Sequence, residues 1–116
     1  MRYVSTRGAA PELDFADVLL TGLASDGGLY VPAEWPSLFA GWSDRDLSYA
    51  DTATAVMWPY VRGSIDRDRF AELVSDSYAG FDDEAVTPLV ELHPGLHLLE
   101  LFRGPTLAFK DIALQL

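Results

Sequence analysis

Over roughly the first eighty residues apolar positions recur at helical spacing between short polar and glycine-rich breaks, and after Thr87-Pro88 they gather into short continuous runs. Tyr3 to Thr6 is aromatic and β-branched enough for a strand, closed by Arg7-Gly8 and Pro11. Asp14 is a helix N-cap residue with Asp17 three positions on. Phe15, Val18, Leu19, Gly22 and Leu23 then predict the apolar stripe of a first helix, stopped by Ser25-Asp26-Gly27-Gly28. Leu29-Tyr30-Val31 before Pro32 predicts a short strand, because proline pushes its predecessor toward extended geometry. Ala33 to Leu47 carries Pro36, Gly41 and two tryptophans and reads as a loop.

Ser48 with Asp51 marks a second helix start, and Ala53, Val56, Met57, Tyr60 and Val61 its apolar stripe, with a kink expected at Pro59 and an end at Gly63. Asp66 caps a third helix whose inner face is Phe70, Leu73, Val74, Ser77 and Tyr78, closed by Gly80. Leu89 to Leu92 and His97 to Phe102 then predict two strands around a turn at Pro94-Gly95. Gly104-Pro105-Thr106 breaks the second strand, and Thr106 reads as the cap of a last helix that starts at Leu107 or Ala108 and runs through Leu116. That helix is apolar on most sides and carries no stop signal, so the chain is expected to be truncated, with the missing part covering it. The fold class is α+β, mainly helical with short strands, with a domain boundary near residue 86.

Composition narrows the function. The chain is 49% hydrophobic and 12% aromatic, which excludes a disordered segment. It has no cysteine, which rules out disulfides, zinc-thiolate sites and thiol catalysis within it. A net charge of -10 without a basic patch opposes binding to nucleic acid or anionic membranes. No run of signal-peptide length follows Met1, and none approaches the roughly 18 apolar residues of a membrane span. A cytoplasmic soluble protein is the expectation; composition says nothing of oligomeric state.

Lys110 is the only lysine, set in Leu107-Ala108-Phe109-Lys110-Asp111-Ile112-Ala113-Leu114. An amine in an apolar helix near its N-terminus is disfavoured as an ammonium ion by desolvation and by the helix dipole, although Asp111 opposes this, and Schiff-base chemistry needs the neutral amine. Position alone favours a snorkelling lysine paired with an acid. The loop ahead of it, Phe102-Arg103-Gly104-Pro105-Thr106, leads a strand end into a helix start, where Gly104 permits close approach, Thr106 offers a hydroxyl and Arg103 a fork for phosphate or carboxylate; a plain connecting turn serves equally well.

Other constellations carry less. Pro94-Gly95 between His93 and His97 forces a turn and argues against a metal site; Asp82-Asp83-Glu84 lacks a calcium-loop pattern; Asp26-Gly27-Gly28 lacks the spacing of a phosphate loop; and Trp35, Trp42 and Trp58 read as buried anchors or an interdomain surface. No metal is expected.

Glu100-Leu101-Phe102-Arg103-Gly104-Pro105-Thr106-Leu107-Ala108-Phe109-Lys110-Asp111 resembles the cofactor-lysine segment of threonine synthases. Tyr3 to Gly8 and Leu20 to Pro32 resemble the amino-terminal signature of the same family, in the same order. The family usually has histidine at the position of Arg103. The resemblance implies a domain of residues 1–86 followed, over residues 87–116, by the first elements of a fold-type II α/β catalytic domain dependent on pyridoxal 5'-phosphate. It implies Lys110 as cofactor attachment point and proton carrier, Phe109 and Asp111 as positioning residues and Thr106 as a cap near the cofactor. It further implies conversion of O-phosphohomoserine and water into threonine and phosphate, with this segment inactive by itself. A phospho-lyase of the same family, or an interaction domain that has kept the motif without the rest of the enzyme, are the alternatives.

Overall fold

The structure, a computed structural model, describes residues 1–37 and 46–116. They form a small α+β assembly with two compact units, the described residues of one being 1–37 and 55–69 and of the other 46–54 and 70–116.

In the first unit β1 (Arg2–Ser5) is the middle strand of an antiparallel sheet, between β2 (Leu13–Asp14) and β3 (Tyr30–Pro32). Tyr3 lies opposite Leu13 on one side and Pro32 on the other, and Val4 opposite Val31. Strand alternation turns Tyr3 and Ser5 inward. The Tyr3 hydroxyl donates to the Tyr60 carbonyl at 2.9 Å, and its ring lies 6.3 Å from that of Phe15. The sequence pattern did not disclose β2, whose two residues become a strand only by pairing with β1.

Helix α1 (Phe15–Thr21) starts at Asp14, whose carboxylate accepts the Asp17 N–H at 3.0 Å. It ends earlier than its apolar stripe because Gly22 takes φ 72, donating its N–H to the Val18 carbonyl. The stripe is not a core face: no residue of α1 is buried, and Leu19, Leu20 and Leu23 are more than 60% exposed. The Ser25–Gly28 turn is structural. Its Asp26 carboxylate accepts from Ser5 Oγ at 2.7 Å and from the N–H groups of Gly28 and Ala9, both at 2.9 Å, and these bonds, that of Ser5 foremost, hold its carboxyl below the usual range.

Helices α2 (Tyr49–Val61) and α3 (Arg67–Tyr78) start where the cap residues place them. Ser48 Oγ accepts the Asp51 N–H at 3.1 Å, and Asp66 Oδ1 accepts from Asp68 N at 3.0 Å. Pro59 lies inside α2, two residues before its end. On α3, Phe70, Val74 and Tyr78 at four-residue spacing are buried, with Val74 fully enclosed. In the second unit the Tyr78 ring meets Tyr49 and Phe81 edge-on at 4.9 and 5.4 Å. Trp35 is 75% exposed, touching Tyr60 edge-on, so it is no buried anchor; Trp58 is half-buried and Trp42 lies outside the described residues.

Strands β4 (Leu89–His93) and β5 (Leu96–Leu99) form an antiparallel hairpin around Pro94-Gly95, with a register shift between Glu91 and His93. His93 lies opposite Leu96 and His97 opposite Glu91. Every residue of both strands is exposed. Among the described residues no helix is long and apolar enough to cross a membrane.

Candidate functional site

The segment from Glu100 to Asp111 leaves β5 three residues earlier than the apolar run suggests. Glu100 anchors its start, donating its N–H to the Pro88 carbonyl at 3.0 Å. The expected last helix does not begin at Leu107 or Ala108. The only helix there is the single turn α4 (Asp111–Leu114), with Lys110 at its N-cap, φ -65 and ψ -21. Leu107 instead takes φ 61, a left-handed conformation that costs a non-glycine residue about 1–2 kcal/mol.

Asp111 explains the delayed start. Its side chain is 2% exposed and turns back along the chain, where Oδ2 accepts the Thr106 N–H at 2.8 Å and Oδ1 the Thr106 hydroxyl at 2.7 Å. Gln115 Nε2 donates to Oδ1 at 3.2 Å. To close this loop the chain makes two successive turns, Leu107 N–H to the Gly104 carbonyl and Asp111 N–H to the Ala108 carbonyl, each at 3.0 Å. Thr106 therefore caps no helix; it is held by the residue that opens one. Burial pushes the Asp111 carboxyl up, but the bonds from Thr106, Gln115 and Ala108 outweigh it and leave the group below the usual range.

Gly104 is buried against the same carboxylate. A Cβ there would stand 2.5 Å from Asp111 Cβ and 2.6 Å from its Oδ2, so the close approach foreseen for Gly104 is toward Asp111. On the outer side of the turn Phe109 is 65% exposed and Lys110 is exposed too. Among the described residues Lys110 Nζ makes no hydrogen bond or ion pair. Neither the apolar helix nor the burial expected around it is present. The structure thus joins Thr106 to Asp111 and leaves Phe109 and Lys110 projecting beside them.

Arg103 is not a free fork. Its Nε donates to Glu100 Oε2 at 2.7 Å, its Nη2 bonds the same oxygen, and its Nη1 faces Asp82 Oδ2 at 3.6 Å. The hydrogen bond to Glu100, helped by the charges of Glu100, Asp82 and Asp83, raises the guanidinium above its ordinary value. Sequence reasoning missed Glu100 and Asp82 as its partners. The apolar run puts Glu100 inside a strand and Arg103 in the loop after it, and Asp82 is distant in sequence. A cavity of about 370 Å³ in the second unit, lined by Tyr49, Tyr78, Phe81 and Asp82 among others, includes neither Lys110 nor Thr106.

The small α+β architecture of the chain is one found in a known family. Residues 2–78 match the family model described as threonine synthase N terminus, and the chain belongs to that family. It is 52% identical over 120 residues to threonine synthase of Pseudomonas aeruginosa, which takes in 100% of this chain and 25% of that protein. It is 47% identical over 116 residues to threonine synthase of Schizosaccharomyces pombe, covering 97% of this chain and 23% of that protein. Its structure is similar to that of threonine synthase from Brucella melitensis, a structure with pyridoxal phosphate bound, at a TM-score of 0.91 and 50% identity, over 97% of this chain and 25% of that one. The chain spans about a quarter of the length of these relatives. Lys110 lies outside the residues matched by the family model but within the stretch aligned to the P. aeruginosa protein.

Proposed function

We propose that this chain is the amino-terminal part of a threonine synthase that converts O-phosphohomoserine and water into L-threonine and phosphate, with pyridoxal 5'-phosphate held covalently by Lys110. The observation that carries the reading is the turn itself: the single lysine stands exposed and unengaged among the described residues, directly beside a buried carboxylate that fixes its backbone.

That geometry fits a carbonyl cofactor. An accessible amine with no competing partner is what covalent attachment to an aldehyde requires. The arginine of the same segment, Arg103, is committed to carboxylates, so the groups that hold the cofactor's phosphate are proposed to lie in the further length that the relatives have. When bound, the cofactor supplies an electron sink for the charge left on the substrate's α-carbon. Released when the substrate's own amine takes its place, Lys110 Nζ would take the α-proton and, once protonated, return a proton to the product. Asp111 orients the turn through Thr106, and Phe109 is the positioning neighbour on the other side of Lys110.

On this reading residues 1–86 form the family's amino-terminal domain and residues 87–116 open a fold-type II catalytic domain, so the segment alone does not turn over. The protein works in the cytoplasm on a small-molecule substrate, without nucleic acid or membrane. In the full-length protein, borohydride reduction should place the cofactor on Lys110, and O-phosphohomoserine should yield threonine. An adduct that persists in Lys110→Ala refutes the attachment, and a 2-oxo acid with ammonia in place of threonine refutes the reaction in favour of a phospho-lyase.

A further inference from the structure

We infer that Arg103 is a positioning residue, which works through Glu100 and Asp82 to fix the backbone from which the loop to Lys110 departs, and that it is not a ligand for a phosphate group. The inference rests on the reading of Lys110 as the cofactor-bearing residue.

Both ends of Arg103 are tied to the same neighbour. Its carbonyl accepts the Asp82 N–H at 3.0 Å, while its Nη1 faces the Asp82 carboxylate. The other edge of the guanidinium is closed by Glu100, whose side chain is only 12% exposed and whose own N–H is bonded to Pro88. The guanidinium also lies over the Phe102 ring at 5.5 Å. Two stretches of chain therefore meet at one side chain: the loop after α3 and the segment that leaves β5 toward Lys110. Gly104 follows immediately and passes so near Asp111 that a Cβ on it would stand 2.5 Å from Asp111 Cβ.

Charge points the same way. One guanidinium faces the carboxylates of Glu100 and Asp82, with Asp83 contributing, so the cluster as a whole is negative. A phosphate would meet that excess and would have to break a Glu100 pair that is only partly open to water, where screening is weak. A fork aimed at phosphate keeps an edge free; here the Glu100 edge is taken and the remaining nitrogen faces Asp82.

The full-length holoenzyme tests this through Arg103→Lys, Glu100→Gln and the double variant, with kcat and KM for O-phosphohomoserine and inhibition by inorganic phosphate. A positioning role predicts that each single change lowers kcat about tenfold or more, since a displaced reacting group loses rate steeply. KM and the phosphate inhibition constant should stay within about twofold, and the double variant should be no worse than the more damaged single. Glu100→Gln keeps the shape of the pair, so it reads the coupling even where Arg103→Lys folds poorly. A rise in KM and weaker phosphate inhibition in Arg103→Lys, with Glu100→Gln silent, would overturn the inference in favour of direct ligation, and additive losses would overturn the coupling. Borohydride mapping of the wild-type enzyme separates the two levels: an adduct elsewhere fails the Lys110 reading, whereas an adduct on Lys110 with additive losses fails only the role of Arg103.

Discussion

Replacing Gly104 by alanine puts a methyl group where the structure has no space for one. The new carbon would lie 2.5 Å from Asp111 Cβ, 2.6 Å from Oδ2 and 2.9 Å from Cγ, whereas unstrained contacts begin at 3.4 Å. Relief takes a displacement of about 1 Å, and all three atoms belong to one short, buried side chain that cannot swing into solvent. Overpacking of this kind costs about 1–3 kcal/mol in stability. The larger effect falls on the turn: Asp111 moved outward releases the Thr106 hydroxyl and N–H, and Lys110 is its direct neighbour in sequence. A misplacement of about 1 Å at a reacting group lowers the rate by roughly a hundredfold. Steady-state kinetics on full-length Gly104→Ala should accordingly show kcat reduced by about that factor, with a lowered melting temperature. Gly80→Ala is the matched control, since no atom lies within 4 Å of its Cβ position and its φ is not positive; it should be neutral or stabilise by about 0.4–1 kcal/mol. Gly104→Ala with wild-type kcat and wild-type melting temperature would refute the contact and the reasoning built on it.

Two further outcomes follow from a buried hydroxyl and a hydrogen-bonded carboxylate. Burial, with the nearby Tyr49, pushes the Tyr78 hydroxyl from 10.0 up to about 12, and this hydroxyl donates to the Ile112 carbonyl at 2.8 Å. Its stabilisation is complete below the unfolded value and lost as pH rises through the folded one, so denaturant titrations should show stability declining between about 10 and 12. Tyr78→Phe should flatten that decline; an unchanged slope would remove Tyr78 as its source. Asp26 is held below its ordinary 3.8, first by the Ser5 hydroxyl, and its contribution is present above that value and lost as pH falls through the depressed one. Asp26→Asn should weaken the fold at neutral pH and reduce its sensitivity to acid, which urea midpoints at pH 7 and below 3.8 would register.

What the sequence disclosed was chiefly local. Asp14, Ser48 and Asp66 each satisfy N–H groups two or three residues ahead, and such bonds are readable because both partners lie within one turn of chain. The hairpin turn at Pro94-Gly95 and the stripe of Phe70, Val74 and Tyr78 were legible for the same reason. Periodicity reports which positions are apolar, not which are covered, so the leucines of α1 misled. The short α4 was hidden because nothing in Leu107-Ala108-Phe109 opposes a helix; Asp111 reaching back to Thr106, with Gly104 beneath it, overrules that local preference. Glu100 and Asp82 as partners of Arg103 depend on where β5 ends and on a loop some twenty residues upstream, neither of which the apolar pattern encodes.

The exposed position of Lys110 has a practical side. It is the only lysine in the chain, it stands clear of solvent barriers, and its Nζ is not engaged by any described residue. An amine-directed acylating reagent therefore finds a single side chain to modify in this whole segment. The extent of acylation there becomes a direct readout of whether something already covers or occupies that nitrogen, so peptide mapping of the labelled enzyme can follow occupancy at Lys110 without any measurement of turnover.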